Sequence, residues 1–200
     1  MSTIRVFPWL PTVAAWVVGA VVVVILRERD AAAPLQAVSI LLASGAGFAL
    51  DDPAAELLSA SPTSLLRRRI ARLMLVIPST VAIWATLVAV QGPANGKQTW
   101  AVVAMFAGLL GLSLSLAGVA ERRSTTGRGG IVAAPALMIL LVASSIVPPR
   151  WRPLPMGDVP GGWTQIYVRW SAAAAIGLLV LLWSSKDRAH GSLRQRILQL

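Results

Sequence analysis

Hydrophobic residues fall along this chain in long, nearly unbroken runs separated by short polar stretches. Six runs, at about residues 9–26, 34–50, 70–90, 100–120, 131–147 and 165–184, approach the roughly 20 apolar residues, range about 17–25, that a bilayer-crossing helix needs. The first holds four consecutive valines, Val21 to Val24, the third is interrupted by Pro78, and the fourth carries no charge. The fifth is the shortest, and the sixth has Arg169 near its start. Valine is a poor helix former in water. In lipid, an unpaired backbone group costs several kcal/mol, so the helix wins. Barrel strands would alternate in polarity over about ten residues, and these runs do not alternate. The pattern predicts one all-α domain over 1–200, a polytopic integral membrane protein with six transmembrane helices.

Composition agrees with the pattern. Residues are 56% hydrophobic and only 13% charged, against about 45–50% and about 25% in soluble domains. The formal charge of +10 raises the question of nucleic acid. The positions of the basic residues answer it. With the N-terminus inside, twelve Lys and Arg lie in inside segments and six in outside segments. That bias follows the positive-inside rule, predicts both termini in the cytoplasm, and leaves no basic, aromatic-interleaved nucleic-acid stripe. The chain is thus expected in a membrane, with lipid as its surroundings. Trp9, Trp100, Trp151, Trp163, Trp170 and Trp183 lie near predicted span ends, where indole favours the headgroup zone. Trp16 and Trp84 lie deeper and face a neighbour, a cavity or lipid. A cleaved signal peptide is not expected, because Arg27-Glu28-Arg29-Asp30 separates the first run from the small residues Ala31 to Ala33.

Chemistry is sparse. The chain has no cysteine and one histidine, His190, so no Cys- or His-rich metal site is expected. Gly92-Pro93-Ala94-Asn95-Gly96-Lys97 is one residue short of a phosphate-binding loop, and Gln98 stands where the loop needs a hydroxyl. Gly127-Arg128-Gly129-Gly130 reads as a flexible cytoplasmic loop. No Gly-x-Ser-x-Gly elbow is present. No carboxylate pair lies inside a span, so no proton relay is suggested. No catalytic residues are expected.

Two segments carry more information. On the fourth span, Ala101, Ala104, Gly108, Gly111, Ser115 and Gly118 recur at alternating spacings of three and four, which puts them on one helix face. Small residues let helices approach closely. The stripe therefore reads as a subunit interface, as a wall of a translocation path, or as packing inside one subunit. Ser113 and Ser115 either satisfy backbone carbonyls or line a polar path. The second segment is the loop 51–69. Asp52 is a good N-cap and Pro53 a good first helical residue. Glu56 suits the positive end of that helix, and Ala54, Leu57 and Leu58 share a face. A short amphipathic helix before Pro62 is expected on the cytoplasmic side. The basic run Arg67-Arg68-Arg69 then anchors the third span at the headgroups.

Phe48-Ala49-Leu50-Asp51-Asp52-Pro53-Ala54, with Ser61-Pro62-Thr63 and Arg67-Arg68-Arg69, resembles the membrane (permease) subunits of actinobacterial ABC transporters. The whole chain resembles the type-2 ABC exporter membrane domain. The resemblance implies N-in/C-in topology and a coupling helix between the second and third spans. It also implies an extracellular, often re-entrant, segment at 148–164. It assigns contact with a partner ATPase to Asp52, Pro53, Glu56, Leu57, Leu58, Ser61, Pro62 and Thr63. An extracellular gate falls on Trp151, Pro155 and Trp163. ATP and Mg²⁺ would be bound by the ATPase and no cofactor by this chain, and a second six-span subunit would complete the path. Only Met1 to Pro8 precede the first span, too few for the amphipathic helix with which family members usually begin. The alternatives are an autonomous small transporter or channel, or a non-transport scaffold, immunity protein or membrane enzyme.

Overall fold

A computed structural model of the protein describes residues 9–25, 32–51, 65–91, 96–123, 129–148, 153–154 and 162–184. Among these residues the chain is entirely helical, with no strand. The helices are α1 (Trp9–Ile25), α2 (Ala32–Gly47), α3 (Leu65–Gln91), α4 (Gly96–Arg123), α5 (Gly130–Ile146) and α6 (Gly162–Ser184). A 3-10 turn, Phe48–Leu50, prolongs α2.

Helix boundaries differ from the apolar runs mainly at polar ends. α3 starts at Leu65, five residues before its expected span, and takes Arg67, Arg68 and Arg69 into its first turns. α4 extends from Gly96 through Glu121 to Arg123. Hydropathy marks where the apolar core stops. The backbone ladder continues for as long as each turn finds partners.

Three helices are long and apolar enough to cross a membrane: α3 from Arg69, α4 from Gln98, and α6. They point to a membrane protein. α1, α2 and α5 have 17, 16 and 17 residues, or about 25 Å at 1.5 Å per residue, somewhat less than the ~30 Å hydrocarbon layer.

Burial divides the bundle into inner and outer helices. From Pro34 to Leu50 every α2 and 3-10-turn side chain is buried or half-buried. α4 is also mostly buried, whereas α3 and α6 expose most of their apolar surface. α2 packs on α1, α3, α4 and α5, and α4 packs on α2, α5 and α6. Lipid tails are as apolar as leucine, so close approach and interhelical hydrogen bonds hold such a bundle. Both are present. A Cβ on Gly45 would lie 2.6 Å from Ala15 Cβ, and Thr12 Oγ1 donates to the Gly45 carbonyl at 3.1 Å. Trp84 Nε1 donates to Ser39 Oγ at 3.0 Å, and Trp16 Nε1 donates to Thr80 Oγ1 at 3.4 Å. The two deep tryptophans therefore face neighbours.

Candidate functional site

Most of the described charged side chains lie at one end of the bundle. There α2, α4 and α6 finish and α3 and α5 begin. Asp51, the residue after the 3-10 turn, is buried. Its Oδ1 accepts the Gly130 backbone N–H at 2.6 Å, at the first residue of α5. A carboxylate there satisfies an orphan donor and complements the positive helix end. The Asp51 carbonyl accepts Arg72 Nη1 at 2.8 Å. Asp51 thereby ties the end of α2 to α3 and α5.

One turn earlier on α3, Arg69 is only 3% exposed. Its Nη1 donates to the Ser184 carbonyl at 3.0 Å and lies 3.4 Å from Ser184 Oγ. Its Nη2 forms an ion pair with Glu121 Oε2. A carboxylate near a helix C-terminus, as Glu121 is on α4, opposes the helix dipole; the guanidinium compensates it. The same guanidinium satisfies a terminal carbonyl of α6. Arg122 donates to the Trp183 carbonyl at 3.0 Å and sits 4.6 Å above the Trp183 ring, a cation–π distance.

These contacts correct two expectations. Arg69 is not a headgroup anchor like a snorkelling arginine, because its charge is neutralised inside the bundle by Glu121. Gly129 and Gly130 are not part of a flexible loop: both are buried. A Cβ on Gly129 would lie 2.1 Å from the Ala117 carbonyl oxygen, and one on Gly130 2.6 Å from Phe48 Cδ1. The glycines let α5 start flush against α4 and the 3-10 turn.

The small-residue stripe faces α6. α4 and α6 run parallel, with Gly108 against Trp170, Gly111 against Ala174, and Gly118 against Leu181 and Ser184. A Cβ on Gly177 would meet the Gly111 carbonyl carbon at 2.5 Å. Ala101 and Ala104 are buried in the main core cluster. Ser115 Oγ donates to the Leu112 carbonyl at 2.9 Å. Ser113 Oγ is buried near Gly47 with no hydrogen-bond partner among the described residues. Within one chain, α6 fills the space that the stripe's glycines leave.

At the opposite end, Trp100, Trp163, Thr164 and Tyr167 line an open groove of about 380 Å³. Pro153 and Leu154, from the connection between α5 and α6, enter the bundle. Leu154 is fully buried, and the Pro153 carbonyl accepts Trp170 Nε1 at 2.9 Å. Trp170 is eight residues past the start of α6, about 12 Å along its axis. Its side chain leans back toward the helix start, so Pro153 sits below that start. Trp170, expected near a span end, is buried inside the bundle.

Of the sequence-predicted site residues, Asp52, Pro53, Glu56, Leu57, Leu58, Ser61, Pro62, Thr63, Trp151 and Pro155 lie outside the described residues. Trp163 is half-buried in the first turn of α6. Sequence reasoning missed the Arg69–Glu121 pair. The available signal was Glu121 itself, a carboxylate closing a charge-free span at the helix end that disfavours it. No group of His, Cys, Asp or Glu that could hold a metal occurs among the described residues. In comparisons with known proteins, no family model, no curated protein and no solved structure matches this chain.

Proposed function

We propose that this chain is the six-span membrane subunit of an ATP-driven ABC exporter in a bacterial inner membrane, with both termini in the cytoplasm. It forms the path with a second six-span subunit. It carries no catalytic site, and a separate ATPase subunit binds ATP and Mg²⁺. The observation that carries this reading is how the 52–64 segment is rooted. Asp51, on one side of it, is bonded to α3 and α5. The first turns of α3, on the other side, are bonded through Arg69 to α4 and α6. A force on that segment would therefore reach five of the six helices through hydrogen bonds.

In this reading a coupling helix near residues 53–60 seats in a cleft of the ATPase. Leu57 and Leu58 supply the apolar contact. Asp52, Pro53, Glu56, Ser61, Pro62 and Thr63 shape its ends and its polar contacts. Closure of the ATPase around ATP then pulls on the roots of the segment. At the outer end, the entry of Pro153 and Leu154 into the bundle supports a re-entrant gate with Trp151, Pro155 and Trp163.

The test is copurification. The tagged chain should bring down the ATPase encoded beside its gene. Leu57→Asp or Glu56→Arg should abolish that association without reducing the amount of chain in the membrane. Normal association in both variants refutes the coupling-helix assignment.

A further inference from the structure

α3, like α1, stands off α4 and α6 among the described residues. It packs on α1, α2 and the 3-10 turn. No α-carbon of α3 lies within 8 Å of α4 or α6 among the described residues. Three sets of long side chains cross that gap. The Trp84 ring stacks on the Phe106 ring at 4.6 Å, with an interplanar angle of 3°. Leu73 and Ile77 rest, half-buried, on a cluster to which the 3-10 turn, α4, α5 and α6 contribute Leu50, Leu114, Ala117, Ala133 and Leu181. Arg69 reaches Glu121 and Ser184. The first two sets are apolar, so they slide or separate into lipid at small cost, since lipid tails offer equivalent contacts. The third is directional. Arg69 and Glu121 are 4% and 7% exposed at their side chains, and separating buried charges is unfavourable unless both reach water. Arg69 lies near the end of α3, where its long stem can carry the guanidinium to the interface.

We propose that Arg69 and Glu121 form a releasable latch and that α3 is the movable helix of the bundle. With the latch closed, α3 stands against the α4–α6 pair. With it open, α3 swings outward about its contacts with α1 and α2, and the Trp84–Phe106 stack parts. α4 and α6 do not separate, because their contact is backbone against backbone. This proposal goes beyond the transporter reading and does not need an ATPase partner. It holds for any membrane protein built on this bundle.

The test is a pair of distance measurements by electron spin resonance in lipid nanodiscs. The chain has no native cysteine, so introduced labels are unambiguous. One label pair, at Met74 of α3 and Leu182 of α6, reads the latch seam. The other, at Leu116 of α4 and Leu179 of α6, reads the parallel pair. All four side chains are exposed. In the otherwise unaltered chain both distributions should be narrow. Arg69→Gln should add a second, longer population to the α3–α6 distribution and leave the α4–α6 distribution unchanged. If Arg69→Gln does not fold, Glu121→Gln decides, because it removes the charge and keeps size and an acceptor. A deciding variant whose α3–α6 distribution superimposes on the parent's overturns the latch. Equal broadening of both pairs also overturns it, because that is general loosening.

Discussion

Two helix seams in this protein are built on opposite principles. Between α4 and α6, glycine meets glycine and the backbones nearly touch: a Cβ on Gly177 would lie 2.5 Å from the Gly111 carbonyl carbon. Between α3 and the same pair, the backbones stand apart and long side chains bridge the gap. A backbone seam has one geometry, since shifting it by part of a turn drives side chains into backbone. A bridged seam has rotamers to spend and can change length. The difference teaches where rigidity and motion are placed. The α4–α6 pair is fixed by shape, whereas α3 is joined to that pair by a charge pair and an aromatic stack.

The largest expected effect is on the tight seam. Gly177→Leu should abolish the folded, monodisperse species in detergent, read by fluorescence-detected gel filtration. Overpacking a core costs about 1–3 kcal/mol, and more where the obstruction is backbone. A normal elution peak would mean that the seam is as adjustable as the other one, and the comparison would fail. Trp84→Ala comes next. It removes the stack on Phe106 and the hydrogen bond to Ser39, and large-to-small aromatic changes cost about 3–5 kcal/mol. It should lower the thermal midpoint clearly while leaving a folded peak. Asp51→Ala should have the smallest effect, about 1 kcal/mol for a lost N-cap. Asp51→Asn should retain most of the stability, because its amide oxygen still accepts the Gly130 N–H. An equal loss in both Asp51 variants would show that the charge, and not the hydrogen bond, carries the contact, which would sharpen how this end of the bundle is held.

Much of the secondary structure was legible because lipid leaves the backbone no alternative. A continuous apolar run must satisfy its own N–H and C=O groups, and a helix is the local way to do it. The six runs accordingly correspond to the six described helices. The overrun of α3 into Arg67–Arg69 was not legible, since hydropathy is blind to a helix that continues with charged residues. Trp84 and Trp16 show the same limit from the apolar side. Their depth was readable, but the partners Phe106, Ser39 and Thr80 lie 22, 45 and 64 positions away.

By itself, then, the sequence determined the helical class, the approximate positions of the helices, the distribution of positive charge and the existence of a small-residue face on α4. All of these follow from local rules: helix period, bilayer thickness and charge relative to the interface. Only the tertiary structure decided what meets that face, that Arg69 is neutralised inside the bundle, that Gly129 and Gly130 are contact points, and that Leu154 returns to the core. The physical reason is the same in each case. A small residue, an arginine or a glycine has one local signature whether it faces lipid, water or another helix. Its role is set by an atom far away in the chain, as Arg69 is set by Glu121, 52 positions on.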